Sequence, residues 1–370
     1  MTGPASSAAS EPIPSEHSDE ENAGYLEVSA AVGTSRDDGS ARAGCDTAKE
    51  FVPRRFLRNG HLQTLAGNFL RRHNRLPEPE ERLFQVEENV QVLCHCHWQP
   101  HHESRPTVLI VHGLEGSSLS RYVIGTGSKA WDVGMNVVRM NMRSCGGTDH
   151  LTPTLYHSGL STDVGAVVST LIEREKLKRL GLIGYSMGGN LVLKLAGEWS
   201  HNAPPELKAV AAVSPVTDLA ASADAMRKKA NRIYEWGFLL SLMRRYRRKR
   251  FLYPTLYGAT VRLPRSMREF DDVITAPHSG FSGAQDYYNR AAAARVVEKI
   301  AVPTLIVHST DDPFVRLVPE TRVKLLANPQ VTLIETQHGG HCAFIARPNG
   351  YDGRWAELQI LQFLLRHGMA

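Results

Sequence analysis

The chain has 370 residues, 42% of them hydrophobic, with a formal net charge of +5 at neutral pH, the composition of a soluble globular protein. No run approaches the roughly 20 apolar residues that span a bilayer, and Met1-Thr2-Gly3-Pro4 opens without the basic-then-apolar pattern of a signal peptide. The mild charge gives no ground for a nucleic-acid partner, and five cysteines (Cys45, Cys94, Cys96, Cys145 and Cys342) form no framework spacing, which argues for reduced thiols and a cytoplasmic protein.

Residues 1–49 are rich in Ser, Ala, Glu, Asp and Gly and poor in large apolar side chains. Such a segment cannot bury enough surface to offset its ordering entropy, so it reads as a disordered acidic tail ahead of one large domain, residues 50–370. From Arg82 to Trp98 the pattern alternates as a strand does. Within it, period two puts Cys94 and Cys96 on one face and His95 and His97 on the other, which divides four tempting metal ligands between opposite sides, so no metal site is expected. The run Pro106 to Val111 is continuously apolar and β-branched, as in a strand covered on both faces, and ends in the loop His112-Gly113-Leu114-Glu115-Gly116. A helix near Tyr122 to Asp132, a strand from Met135 to Met140, a helix near Ser161 to Glu175 and strands at Leu180–Ile183 and Ala209–Val213 continue a β/α rhythm. From about residue 220 to 289 the rhythm stops, in a segment of helix formers, Arg and aromatics that reads as an inserted helical cap. The sheet resumes at Val302 to His308 and Val331 to Glu335, and Trp355 to Arg366 reads as an amphipathic closing helix. The class implied is α/β, a mostly parallel sheet with helices on both faces.

The chemistry concentrates at Gly184-Tyr185-Ser186-Met187-Gly188, between the strand at Leu180 and an amphipathic run from Leu191. A strand that turns sharply into a helix strains the turn residue and holds its side chain out at the top of the sheet, which suits a nucleophile. A serine needs a base, and the base an orienting acid. In α/β-hydrolases these follow in the order Ser, Asp or Glu, His, each after a later strand. Asp311-Asp312-Pro313-Phe314 follows one such strand, and His338-Gly339-Gly340-His341 the next. In that family's pattern the acid stands ahead of an apolar pair, which Asp312 fits better than Asp311; Asp311 reads as a turn carboxylate, and His341, after a double glycine, fits the base better than His338. The backbone N–H groups of Leu114 and Met187 are the expected oxyanion donors, and His112 is a decoy.

Beyond the superfamily, Asn59-Gly60-His61-Leu62-Gln63-Thr64, His112 to Gly116, Asn141-Met142-Arg143, Tyr156-His157-Ser158-Gly159, Arg268 to Asp272, Thr275-Ala276-Pro277 and Asp286-Tyr287-Tyr288 resemble the YheT-like branch of α/β-hydrolases, from about Phe51 to the C-terminus. The branch includes bacterial esterases, animal relatives acting on monoacylglycerols and phospholipids, and fungal relatives that make fatty-acid ethyl esters. The resemblance therefore implies a carboxylic ester hydrolase that takes a small-molecule or lipid acyl ester and needs no cofactor or metal. An acyltransferase with the same triad and a catalytically silent lipid- or partner-binding scaffold are the alternatives. In the cap, Trp236 to Met243 is followed by the basic run Arg244 to Arg250. That pattern fits either a helix packed on the sheet with a solvated charged end, or peripheral contact with an anionic membrane surface.

Overall fold

The structure, a computed structural model, describes residues 50–258 and 262–370; the acidic segment 1–49, including Cys45, lies outside the described residues. The fold is that of the larger of two compact units, Ala48–Arg347 with Gly353–Ala370, while Pro348–Asp352, grouped with the smaller unit, is a run of bends. Eight strands form one sheet: β1 (Glu80–Glu87), β2 (Val90–His97), β3 (Thr107–Val111), β4 (Asn136–Met140), β5 (Leu180–Tyr185), β6 (Leu207–Val213), β7 (Thr304–Ser309) and β8 (Val331–Thr336). Their order is β1-β2-β4-β3-β5-β6-β7-β8, with β1 and β2 antiparallel to their neighbours and the rest parallel. Every residue of β3, β4, β5 and β7 is buried; the polar members of β4 are paired inside, Asn136 with Thr107 and Arg139 with His97.

The alternating stretch from Arg82 to Trp98 is two strands, not one. The chain turns back after Glu87, with Asn89 at φ +58°, so β1 and β2 pair as a hairpin. Cys94 and Cys96 point into the core. On the opposite face His95 Nδ1 lies 3.0 Å from Ser118 Oγ, and His97 Nε2 accepts from Arg139 Nε at 3.1 Å. Among the described residues no group of three His, Cys, Asp or Glu side chains is placed to hold a metal.

The N-terminal helix α1 (Gly60–Phe69) is capped by Asn59 Oδ1, which accepts from His61 and Leu62 N–H. Helices α2 (Arg121–Asp132), α3 (Ser161–Glu175) and α4 (Met187–Trp199) are the crossovers, and they cover both sides of the sheet. The two glycines of β5 display both coverings. A Cβ at Gly181 would touch Leu364 of the closing helix, whereas one at Gly184 would stand 2.3 Å from the Gly188 carbonyl of α4. Those residues are three apart in a strand and so face opposite ways.

Between β6 and β7 the chain leaves the sheet. It forms α5 (Leu219–Met226), α6 (Arg232–Leu252), two short helices α7 (Pro254–Tyr257) and α8 (Met267–Phe270), a π-helical turn (Asp271–Thr275) and α9 (Ala284–Ala291). Helix α10 (Pro319–Ala327) joins β7 to β8, and α11 (Trp355–Arg366) closes the chain against α2 and the sheet. The inward stripe of α6 runs Phe238, Leu242, Arg245, Lys249, at helical spacing. Its cations are therefore not all solvated. Lys249 is buried and donates to the Asp149 and Thr152 carbonyls, and Arg248 Nε meets Asp149 Oδ2 at 2.9 Å.

The close passage of α4 over β5 leaves no room for a methyl. Gly184→Ala should lower stability by about 1–3 kcal/mol, read as a fall in the thermal unfolding midpoint by circular dichroism. Gly237→Ala, on an open face of α6 where a Cβ meets nothing within 4 Å, should leave that midpoint unchanged or raise it.

Candidate active site

Ser186 sits where β5 becomes α4, at φ +54° and ψ −116°. A side chain seldom adopts such a backbone conformation unless the surroundings over-determine it. They do: Ser186 N–H donates to Val213 O at 2.9 Å, and its carbonyl accepts from Val216 and Asn190. A Cβ at Gly188 would come within 2.4 Å of Val111 O, so α4 can start directly against β3 only because that position is glycine.

The loops after β7 and β8 converge on this serine. His341 Nε2 lies 2.9 Å from Ser186 Oγ, and His341 Nδ1 lies 2.7 Å from Asp312 Oδ2. The other carboxylate oxygen of Asp312 accepts the N–H groups of Phe314 (3.1 Å) and Val315 (2.9 Å), which fixes its orientation. Asp311 turns elsewhere: its Oδ1 accepts from Gly340 N–H at 2.9 Å, and His338 Nδ1 stands 3.5 Å from its Oδ2. Of the two aspartates only Asp312 meets His341, while Asp311 and His338 shape the loop. Burial pushes the Asp312 carboxyl up, but the adjacent His341 and the Val315 N–H more than offset it and leave it below the ordinary range. Burial likewise pushes His341 down, and the Asp312 carboxylate reverses this, so the imidazole holds its proton above the ordinary histidine range.

Opposite the imidazole lies the loop after β3. Gly113 N–H donates to Tyr122 Oη and Glu115 N–H to Tyr156 Oη, both at 2.9 Å. Between them, Leu114 N–H has no hydrogen-bond partner among the described residues. Met187 is the first residue of α4, where a backbone N–H has no intrahelical partner. Leu114, Ser186 and Met187 line one cavity. His112 is fully buried and neutral: its Nδ1–H donates to Gly113 O at 2.7 Å, its Nε2 accepts from Met142 N–H, and burial drops it to about 4. It shapes the loop and does not reach the serine.

Two supports were not read from the sequence. Thr64 Oγ1 accepts from His341 N–H at 2.9 Å and donates to Gly60 O at 2.7 Å. Gln63 holds the same loop from both sides, Oε1 accepting from Ile345 N–H and Nε2 donating to Ile345 O. A Cβ at Gly60 would stand 2.0 Å from Asp311 O. The Asn59 to Thr64 motif thus ties the acid loop to the base loop. The second support is buried charge: Glu115 Oε1 accepts from Arg245 Nε (2.9 Å) and Tyr156 Oη (2.7 Å), and Ser241 donates to Oε2, which joins the loop after β3 to α6. No signal in the basic run distinguishes Arg245 from its neighbours, because its partner Glu115 lies 130 residues away.

Two recesses meet at Ser186. One, about 960 Å³ with its open mouth, is lined mainly by apolar side chains such as Leu155, Leu219, Met226, Phe238 and Phe270. The other, about 830 Å³, runs past His341 and Cys342 to Thr64, Asn68 and Ser120. Cys342 Sγ lies 3.7 Å from His341 Nε2.

A family model described as the alpha/beta hydrolase fold matches residues 106–348. The chain is 32% identical over 323 residues to "Putative esterase YheT" of Escherichia coli, a match that covers 86% of this chain and 94% of that protein. It is 28% identical over 273 residues to the phospholipase ABHD3 of Bos taurus, covering 72% of this chain but 65% of the relative, just under two thirds of its length. Among solved structures, an esterase of Pyrococcus furiosus superposes with a TM-score of 0.51 at 20% identity, over 78% of this chain and 93% of that one; identity so low bears on the fold alone.

The pairing of His341 with Asp312 and not Asp311 is open to direct measurement. In Asp312→Asn the His341 imidazole, followed by NMR, should titrate about 1–3 pH units lower than in the unaltered protein. In Asp311→Asn it should keep its midpoint. The reverse result would reassign the acid.

Proposed function

The chain belongs to the α/β-hydrolase fold family, within its YheT-like branch, and from this footing we propose a serine esterase that cleaves carboxylic acyl esters through an acyl-enzyme. The observation that carries the reading is the unbroken relay from Ser186 Oγ through His341 to Asp312 at the mouth of an apolar chamber. Ser186 Oγ attacks the ester carbonyl as His341 Nε2 takes its proton. Asp312 keeps Nδ1–H pointed away from the serine and stabilises the imidazolium. The Leu114 and Met187 N–H groups receive the charge that develops on the carbonyl oxygen. His341 then gives the proton to the departing alcohol. Water, deprotonated by the same imidazole, attacks the acyl-serine and releases the acid. The relay needs neutral His341, so turnover falls as pH drops through a midpoint that Asp312 holds high. An alcohol in place of water turns the same cycle into acyl transfer, and the recess past His341 gives such an acceptor a place beside the base. The ester-to-acid product ratio in the presence of a short alcohol measures the partition.

Ser186→Ala should fold normally and lower kcat by roughly 10⁴–10⁶-fold on any ester the protein accepts. A fluorophosphonate probe should label the unaltered protein and not this variant. Near-normal turnover by the variant would end the mechanism, and no labelling of the unaltered protein would favour a silent binding scaffold.

Among the described residues no helix is long and apolar enough to cross a membrane. The outer face of α6 nevertheless suits peripheral contact with an anionic lipid surface. Ile233 (81% exposed), Trp236 (68%) and Phe251 (85%) project there beside the exposed Arg244, Arg247 and Arg250. Vesicles containing phosphatidylserine should bind the protein at low salt, and neutral vesicles should not. Changing Trp236, Arg244, Arg247 and Arg250 to Ser should abolish that binding and reduce turnover of vesicle-borne esters while sparing a small soluble ester. Arg248 is left in place because it holds Asp149. Equal loss on both substrates would leave the arginines a solvated helix face.

A further inference from the structure

The mainly apolar chamber carries polar groups in its lining, Ser158 and Asp271 among them. Ser158, ahead of α3, is 1% exposed. Its N–H donates to Tyr287 Oη at 3.0 Å and its carbonyl accepts from Asn190 Nδ2 at 2.8 Å, yet its Oγ has no hydrogen-bond partner among the described residues. On the same chamber Asp271 opens the π-helical turn, an irregularity found frequently at functional sites. Its Oδ1 accepts from Thr275 Oγ1 at 2.8 Å and its Oδ2 from Tyr288 Oη at 2.7 Å, so each oxygen has one donor and room for another. Burial pushes this carboxyl up to about 6, against the pull of Tyr288 and Thr275. A plain hydrocarbon chain offers nothing to an unpaired buried hydroxyl or to a carboxylate. A chamber shaped only for such a chain would be expected to pair these groups internally or replace them.

We propose that Ser158 Oγ and the Asp271 carboxylate form a subsite for a hydroxyl carried on the acyl chain, so that hydroxyacyl esters are the substrate class this chamber selects. The inference rests on the esterase reading above and adds what the acyl part must bear. The hydroxyl donates to one of these acceptors, or accepts from Ser158, while the rest of the chain lies against the apolar lining. Tyr288 and Thr275 position the carboxylate.

The test compares kcat/KM for 4-nitrophenyl decanoate with the esters of 3-hydroxy-, 6-hydroxy- and 10-hydroxydecanoate, which place the hydroxyl at three depths. At least one hydroxylated ester should exceed the plain ester by about five- to tenfold, the usual worth of one well-made hydrogen bond. In Ser158→Ala, which removes an oxygen that bonds nothing among the described residues, and in Asp271→Asn, that ratio should fall toward one. Circular dichroism and fluorophosphonate labelling of Ser186 report that both variants are folded. If the plain ester is hydrolysed and no hydroxylated ester exceeds it, or if both variants keep the full preference, the subsite is wrong and the esterase reading stands. If none of the esters is hydrolysed and Ser186 is not labelled, the esterase reading has failed and the subsite falls with it.

Discussion

The site depends first on how closely α4 approaches the sheet. A side chain at Gly184 or Gly188 would drive a methyl into the Gly188 or Val111 carbonyl, at 2.3 and 2.4 Å. With both positions bare, the first turn of α4 rests directly on β5 and β3, and the chain must bend through φ +54° at Ser186 to enter it. That bend raises the hydroxyl above the sheet and leaves the first N–H of α4 without an intrahelical partner beside it. Strain of this kind, of order 1–3 kcal/mol per residue, persists only where neighbours over-determine the backbone. Here the hydrogen bonds to Val213, Val216 and Asn190 do so.

The elbow positions one of the three side chains; the other two arrive on separate loops, and their register is set by α1. The Thr64 hydroxyl takes the His341 N–H, Gln63 brackets Ile345, and Gly60 lies against the Asp311 carbonyl. A helix more than 240 residues earlier in the chain thus fixes the two loops to each other to within hydrogen-bond tolerance. It uses the Gly60 backbone, the short Thr64 side chain and the Gln63 amide, whose ordering cost is offset by the hydrogen bonds it makes at both ends. A motif with this role tolerates neither bulk at Gly60 nor the loss of the Thr64 oxygen, although neither residue hydrogen-bonds to Ser186 directly.

What the sequence made legible follows from where the information lies. The apolar, β-branched run before His112 identified a strand covered on both faces, and α3 and α11 occupy Ser161–Glu175 and Trp355–Arg366, the spans read as helices. The Gly-x-Ser-x-Gly turn and the chain order of the acid and base located the serine's partners because each stands directly after a strand. The hairpin of β1 and β2 was less visible, since period two continues through Asn89 and a turn of so few residues leaves little composition to read. The sidedness of α6 was invisible for a different reason. Arg245 and Lys249 face inward because of Glu115 and the Asp149–Thr152 loop, partners about 100 residues or more away, and a run of seven cationic and aromatic residues carries no mark of which ones those partners claim. Ser158 and Asp271 stood in motifs that served only to mark kinship. Their role in lining one chamber is a product of the fold.

The buried pair of Glu115 and Arg245 links these levels. Both side chains are under a tenth exposed, and taking a charge out of water is tolerable only when its partner is fixed. Removing one member of such a pair costs about 3–5 kcal/mol, because the other is left charged and dry. The cap helix is therefore held to the loop that presents Leu114 N–H by an interaction that is expensive to open. Glu115 also receives Tyr156 and Ser241, so three elements share a single carboxylate. Movement of α6 large enough to widen the chamber would have to break or carry with it the loop after β3, and with it the geometry of the Leu114 N–H. The recess past His341 is bounded by the same loop, Gly113 to Gly116, and by Tyr234 and Phe238 of α6, as well as by Thr64, Gly67 and Asn68 of α1. One buried carboxylate thus stands between the walls of both recesses, since Leu114 and Phe238 line each of them, and neither can widen on the α6 side without disturbing the loop after β3.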